Sequence, residues 1–149
     1  MRLLRYRPRS VAEVRQRLLT LRFTDQEIEK SVATAKAAGL LDDEVFTKVW
    51  VDDRLLHHPL SRRAIRQELA DKEIDKGTVD TALEKLYPEE KEKEIALSLS
   101  QARLVRYSSL DRAKRIERTI SFLIRRGFSF SLARKVTEIA DRESGELND

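Results

Sequence analysis

A short stretch that combines a helix end, a tight turn and a helix start occurs three times in this sequence. Each copy has a leucine, an apolar residue five positions later, and then a residue that favours a helix N-cap. These residues are Leu18, Phe23 and Thr24 in the first copy, Leu69, Ile74 and Asp75 in the second, and Leu123, Phe128 and Ser129 in the third. The copies are 51 and 54 residues apart. Repetition at such a period is typical of stacked supersecondary units.

The composition also favours helices. Charged residues make up 38% of the 149 residues and aromatic residues 6%, with only four Gly and three Pro, which is typical of helices with solvated outer faces. The chain has no Cys, which excludes disulfides and thiolate metal sites. It has no apolar run near the ~20 residues of a membrane span, and its basic N-terminus does not resemble a signal peptide. We therefore expect a cytoplasmic protein.

Apolar residues spaced at the helical period predict about nine helices in three groups. The predicted fold class is all-α, with three tandem three-helix repeats that form an elongated, helix-turn-helix-like array. The predicted repeats are 1–38, 39–87 and 88–149. The helices are expected to begin near residues 2, 10, 24, 42, 61, 75, 88, 108 and 129, and the last is expected to end near residue 142.

Polar residues mark most of the predicted helix starts. The expected N-caps are Ser10, Thr24, Asp42, Ser61, Asp75 and Ser129, and either Ser108 or Ser109 is expected to start the eighth helix. Thr24 and Glu27 have the spacing of a capping box. The polar residues from Glu143 onward are expected to fray.

The apolar positions predict which side chains form the core. The residues that follow each repeated turn (Phe23, Ile74 and Phe128) are expected to be buried plugs, and Leu21 and Ile124 are expected to face inward too. Further inward-facing residues are Val45, Phe46, Val49, Trp50 and Leu56 on the helix from residue 42, and Ile95, Leu99 and Ala102 on the helix from residue 88. In the third copy, Leu132 and Val136 predict a one-residue shift relative to the other two, because Ala133 stands where Ile28 and Val79 stand.

The net charge of +4 conceals two strongly basic blocks. Residues 1–23 hold seven Arg and one acid, and residues 103–126 hold eight Lys or Arg and two acids, so each block carries +6 and the remainder carries −8. A single charged run is often only a solvated helix face, but two blocks rich in Arg indicate an anionic or acidic partner. The planar guanidinium suits such a partner because it can bind phosphate or carboxylate in a bidentate manner.

Nine arginines are candidates for contact with that partner. The strongest candidates lie in the two basic blocks: Arg5, Arg9, Arg112, Arg115, Arg125 and Arg126. A short helix supplies three more that are expected to point outward, where ordinary surface charge is an equally good explanation: Arg62, Arg63 and Arg66.

The sequence contains no pattern that indicates an enzyme or a metal site. The two histidines, His57 and His58, are adjacent, so on a helix they point about 100° apart and suit a surface helix end better than a metal site. The acidic run that starts at Asp42 is explained by helix capping and the helix dipole. There is no Gly-rich phosphate loop and no nucleophile elbow. We therefore predict no catalytic residue, no cofactor, no metal and no small-molecule substrate.

Several segments, taken in their order along the chain, resemble the RecX family of recombination regulators. The first are Arg7-Pro8-Arg9-Ser10 and the run from Gly39 to Glu44 that precedes Phe46 and Trp50. The others are the run from Ser61 to Leu69 and the run from Phe122 to Ser129. The resemblance covers nearly the whole chain. It is poor over residues 88–107, and Arg22 occupies a position before the first plug where glycine is usual.

The resemblance implies a non-enzymatic modulator of the RecA recombinase, with a role in DNA recombination, DNA repair and the SOS response. Proteins of this kind are built from tandem three-helix repeats. They bind the RecA–single-stranded DNA filament in its helical groove and suppress its ATPase and strand-exchange activities. We expect binding to bare single-stranded DNA to be weak and directed at phosphates, and we expect no membrane partner.

Two other functions remain open. The repeated turn also resembles a helix-turn-helix, which would indicate sequence-specific DNA binding. However, the helices that would read bases begin with Asp25-Gln26-Glu27 and with Asp75, and acidic residues there would face the phosphate-lined groove. A generic helical interaction scaffold is the third reading.

Overall fold

Eight α-helices form residues 9–147, the part of the chain that this computed structural model describes, and no strand occurs among these residues. The helices are α1 (Val11–Thr20), α2 (Asp25–Ala37), α3 (Asp43–His57), α4 (Arg62–Asp71), α5 (Lys76–Leu86), α6 (Glu89–Arg106), α7 (Arg112–Arg125) and α8 (Phe130–Leu147). The all-α prediction is therefore confirmed. The predicted helix over residues 2–6 lies outside the described residues.

Six of the predicted helix starts are confirmed by the side chain that caps the helix. Thr24 and Glu27 form the expected capping box at the start of α2. At five other helices a side-chain oxygen of the predicted residue accepts a hydrogen bond from a backbone N–H two or three positions later. These residues are Ser10, Asp42, Ser61, Asp75 and Ser129.

Two predicted helix limits were wrong. Helix α7 begins after Asp111, whose carboxylate accepts a hydrogen bond of 2.9 Å from the Lys114 N–H, and not at Ser108 or Ser109, which lie in the preceding turn. Helix α8 continues to Leu147 and does not end near residue 142. Its last turns contain Gly145 but no proline, and one glycine costs a helix only about 1 kcal/mol.

The repeated stretch forms the same hydrogen-bonded turn in all three copies. The N–H groups of Phe23, Ile74 and Phe128 donate 3.1 Å hydrogen bonds to the carbonyl oxygens of Leu18, Leu69 and Leu123, respectively. The preceding residue donates to the next carbonyl along, at 2.9 Å in each copy. This pair of bonds is the Schellman motif, which satisfies carbonyl groups at a helix C-terminus.

The motif needs a left-handed residue just before the plug. The three residues there are Arg22, Glu73 and Gly127, with φ angles of 66°, 58° and 92°. Two of these are not glycine, although a left-handed residue with a side chain costs about 1–2 kcal/mol. The hydrogen bonds therefore fix the turn even where the residue itself disfavours it.

Only two of the three plugs are buried. Ile74 and Phe128 are 6% and 2% exposed, as predicted, but Phe23 is 44% exposed, so that prediction was wrong. Leu21 and Ile124, also expected to face inward, are 51% and 45% exposed.

The described residues divide into two compact units. Unit 1 contains residues 9–54 and 66–86, and unit 2 contains residues 55–65 and 87–147. One core of unit 1 is formed by Val14, Ile28, Val32, Ala35 and Leu41. The core of unit 2 is formed by Ala96, Phe122, Leu123, Phe128, Ala133 and Val136. Unit 2 also buries Tyr87 completely; its hydroxyl donates a 2.8 Å hydrogen bond to the Leu60 carbonyl, and burial raises its pKa.

Two predicted inward faces needed correction. Val45, Val49 and Leu56 of α3 are exposed, while Thr47 and Val51 are buried beside Phe46. Ala102 of α6 is exposed, and the buried residues of that helix are Ala96, Ser100 and Leu104. Each buried face includes a small polar residue, Thr47 in α3 and Ser100 in α6, which a search for large apolar side chains does not detect.

The third copy has no one-residue shift. Ala133 is fully buried, as Ile28 and Val79 are at the matching positions of the other copies. A small side chain at this position suits a close contact. The third copy therefore differs from the other two in the size of this residue and not in its position.

Trp50 joins several elements of unit 1. Its ring lies 5.7 Å from the Phe46 ring. The Arg54 guanidinium and the Lys72 ammonium lie 4.7 and 5.0 Å, respectively, from a centroid of the Trp50 rings. Its Nε1 donates to Glu68, which also forms a 2.8 Å ion pair with Arg54. This hydrogen-bonded pair raises the pKa of Arg54. Trp50 was expected in the core, and it lies at the edge of the core, half-buried.

Gly127→Ala is expected to lower the free energy of unfolding by about 2–4 kcal/mol, from left-handed strain and overpacking together. An added Cβ would lie 2.6 Å from the Ser61 Oγ and 2.7 Å from the Ala64 Cβ. Gly39→Ala is the matched control, because Gly39 also has a positive φ but has nothing within 4 Å of an added Cβ. Urea unfolding should show a cost of only about 1–2 kcal/mol for Gly39→Ala; equal costs would contradict the close contact.

Phe128→Ala should lower the free energy of unfolding by about 3–5 kcal/mol, because the ring is deeply buried. Phe23→Ala should cost only about 1 kcal/mol, because a half-exposed ring loses less buried area. Thermal or urea unfolding of the two variants measures the difference. A cost at Phe23 as large as that at Phe128 would show that the first plug is buried after all.

Candidate functional site

The structure places eight of the nine predicted contact arginines, since Arg5 lies outside the described residues. Three of the eight are held by carboxylates at short range. Arg9 forms a 3.4 Å ion pair with Glu13, Arg66 a 3.2 Å pair with Asp80, and Arg112 a 2.9 Å pair with Asp141. A partner would have to compete with these pairs, although the Arg112 side chain is 72% exposed.

Arg62 has a structural role and does not point outward as predicted. Its side chain is only 12% exposed. Its Nε donates a 2.8 Å hydrogen bond to the Tyr87 carbonyl, and its backbone N–H donates to Glu92 at 2.7 Å. These bonds join the start of α4 to the start of α6 within unit 2, so the guanidinium is largely withdrawn from solvent.

Arg115 and Arg126 each use one nitrogen on a backbone carbonyl. The NH1 of Arg115 donates to Leu110 at 3.3 Å, and the NH1 of Arg126 donates to Pro59 at 3.1 Å. A guanidinium has five N–H donors, so either group can still bind a second acceptor.

Arg63 and Arg125 are exposed and, within residues 9–147, have no side-chain partner. They flank a close contact inside unit 2, where the Ser61 N–H donates a 3.0 Å hydrogen bond to the Arg126 carbonyl. This contact fixes the start of α4 against the turn between α7 and α8. Both arginines are therefore carried by a rigid part of the unit.

Helix α7 carries a line of cations that the nine candidates largely missed. Lys114, Arg118 and Arg125 are all exposed and follow one another at intervals of four and seven residues, which places them on one face of a helix. The buried residues Thr119 and Leu123 lie about 100° or more away from this line around the helix, while the buried Phe122 lies closer to it, between Arg118 and Arg125. The spacing was visible in the sequence, but of these three residues only Arg125 was among the nine candidates.

A second cluster surrounds the ring of Phe122, which is 5% exposed. The guanidinium carbons of Arg103 and Arg126 lie 3.7 and 4.8 Å from the ring centroid. Burial, together with the charge of Arg103, lowers the pKa of Arg126. Arg103 was not among the candidates, because nothing in the helical pattern of α6 indicates which residue of α7 it contacts.

The chemistry available on unit 2 is therefore the binding of anions. Among residues 9–147, no three His, Asp or Glu side chains come close enough to hold a metal ion. In the same part of the chain, no helix is both long enough and apolar enough to cross a membrane.

Known proteins of one family match this chain along most of its length. Models of the first, second and third three-helix domains of RecX match residues 1–33, 42–83 and 89–137. The chain belongs to the RecX family. The Regulatory protein RecX of Streptomyces coelicolor is 32% identical over 146 residues, which cover 98% of this chain and 77% of the relative. That of Thermobifida fusca is 34% identical over 149 residues, covering 99% and 80%.

Two solved RecX structures share the fold. The crystal structure of RecX from Lactobacillus salivarius has a TM-score of 0.78 at 21% identity and covers 94% of this chain and 90% of its own. A second crystal structure, of regulatory protein RecX, has a TM-score of 0.74 at 23% identity and covers 91% of this chain and 66% of its own. The resemblance to the RecX family is thereby confirmed, and RecX proteins are regulators.

Arg62→Ala is expected to lower the free energy of unfolding by about 1–3 kcal/mol, because it leaves the Tyr87 carbonyl without its hydrogen bond. Arg63→Ala, one residue away and exposed, should change stability by less than about 0.5 kcal/mol. Urea unfolding of both variants separates the structural arginine from the solvated one. An unaffected Arg62→Ala variant would return Arg62 to the set of contact candidates.

Proposed function

We propose that this RecX-family chain binds the RecA–single-stranded DNA filament and lowers its ATPase and strand-exchange activities, and so modulates recombination and DNA repair. The observation that carries the proposal is the exposed line of Lys114, Arg118 and Arg125 on α7, in a chain whose relatives are named regulatory proteins. Such a partner would place the protein in the cytoplasm.

The geometry of α7 suits a polyanion. Lys114 and Arg125 are 11 positions apart, which corresponds to about 16 Å along a helix. Cations spread over that distance on one side can contact successive phosphates of an extended strand without reading bases. Regulation would then follow from occupancy of the filament surface, with no chemical step.

We propose that Arg63 extends this line, because it lies beside the contact between α4 and the turn after α7. Arg9, Arg66, Arg112, Arg115 and Arg126 remain secondary contact candidates, since each is already engaged in the unit. Arg62 is assigned to structure instead. We also keep the repeat limits 1–38, 39–87 and 88–149 as a proposal, which the three matched family domains support.

The first test is RecA's DNA-dependent ATP hydrolysis with the protein added. We expect the wild-type chain to inhibit hydrolysis. The triple variant Lys114→Gln, Arg118→Gln and Arg125→Gln should need roughly tenfold more protein for the same effect, because three phosphate contacts are removed. The control is Lys91→Gln, Lys135→Gln and Arg142→Gln, which removes the same charge from exposed positions of α6 and α8 and should inhibit like the wild type.

No inhibition by the wild type at stoichiometric excess would remove the proposed function. Equal loss in both triple variants would show that net charge matters but not the line on α7. Nanomolar binding to bare DNA with strong base preference and little salt dependence would favour sequence-specific DNA binding instead, because phosphate-directed binding weakens steeply with salt.

A further inference from the structure

Arg103 and Arg126 form an unusual pair, because two cations share one aromatic ring without an acid between them. Arg103 comes from α6, and Arg126 is the C-cap of α7. Both guanidinium carbons lie within 5 Å of the Phe122 ring centroid, at 3.7 and 4.8 Å. Within residues 9–147, neither side chain forms an ion pair with a carboxylate.

Like charges brought together in a half-buried setting repel one another, and burial weakens their screening by water. Burial, and then the charge of Arg103, lower the pKa of Arg126 accordingly. An anion bound between the two groups would remove the repulsion. Cation–π contact with Phe122 holds the guanidinium groups in place in the absence of one.

Most hydrogen-bond donors of the pair remain available. Arg126 donates through NH1 to the Pro59 carbonyl at 3.1 Å, and in the described part of the chain the Arg103 side chain has no hydrogen-bond acceptor. A guanidinium stacked on a ring keeps its N–H groups in its own plane, where they can fork around two oxygens of one oxyanion.

The surroundings of the pair favour a polyanion over an isolated ion. Phe122 follows Arg118 by four positions and precedes Arg125 by three, so both are its neighbours on the surface of α7. The acid of α7, Glu117, lies five positions before Phe122, which turns it about 140° away around the helix. Two arginines therefore lie over the Phe122 ring, and two more are its neighbours along α7.

We propose that Arg103 and Arg126 clamp one backbone phosphate of a single-stranded nucleic acid, with Phe122 as the platform that positions both guanidinium groups. The identity of the strand rests on the proposed function, but the clamp itself does not. The pair holds one phosphate beside Arg125, at the C-terminal end of the exposed line formed by Lys114, Arg118 and Arg125. Neighbouring phosphates would then follow that line.

The test uses the full-length chain and a fluorescein-labelled oligo(dT) of 20 nucleotides, with binding measured by anisotropy at several salt concentrations. Arg103→Gln should weaken binding roughly three- to tenfold and reduce the slope of log K against log salt by about 0.7, the value for one phosphate contact on a single strand. The double variant Arg103→Gln and Arg126→Gln should bind no better than the single variant. Arg103→Lys should keep the slope and lose part of the affinity, because lysine keeps the charge but not the fork.

The control is Lys91→Gln with Lys135→Gln, which removes two charges from exposed positions of unit 2 and should leave the slope unchanged. Thermal unfolding of every variant checks folding. If the double variant fails to fold because the Pro59 hydrogen bond is lost, the Arg103→Gln variant decides.

Wild-type affinity and slope in Arg103→Gln would overturn the clamp, as would a wild-type chain that does not bind the oligonucleotide. If Arg103→Gln weakened binding to poly-glutamate but left binding to oligo(dT) unchanged, the phosphate clamp would also be overturned, in favour of a carboxylate partner. Failure of the proposed function is distinguishable, because the clamp can be present in a chain that leaves RecA's ATP hydrolysis unchanged.

Discussion

The left-handed residue that ends α1, α4 and α7 is the constraint on which the rest of the fold depends. It lets the next N–H return to a leucine carbonyl five residues earlier, so one helix stops and the next starts at a fixed angle. The required conformation is met by arginine, glutamate and glycine at the three positions. The turn at Gly127 also packs against the start of α4, at Ser61 and Ala64. A side chain at this position would clash there, which explains why this copy has glycine. This contact lies beside Arg63 and Arg125, which belong to the cationic surface of unit 2.

Much of the fold could be predicted because caps and turns are local. The hydroxyl or carboxyl groups of Ser10, Thr24 and Ser61 act within three residues of their own position, so the sequence contains the whole interaction. Asp111 was missed because two serines just before it compete as caps and the difference depends on the turn that precedes α7. The buried faces of α3 and α6 were partly missed because the closest contacts use small residues, and their choice depends on the neighbouring helix.

The candidate site was predictable in charge but not in arrangement. The +6 block of residues 103–126 contains the cationic surface that we propose, and helical phase alone could have identified Lys114 and Arg118. The positions of the Arg62 and Arg103 side chains could not be predicted from the sequence. One turns inward to the Tyr87 carbonyl and the other lies over the Phe122 ring, and both outcomes are set by groups at least 19 positions away in sequence. Arginine in this chain thus serves as a solvated cation, an ion-pair partner and a buried connector.

Trp50 is the only tryptophan of the chain, and it lies in unit 1 between Arg54 and Lys72. Unit 2, which carries the phosphate-binding surface proposed above, contains no indole. The intrinsic emission of this protein is therefore a natural optical label for one half of the molecule. Unfolding of unit 1 would expose the half-buried indole fully to water and shift its emission to the red, so it can be followed without attaching a dye.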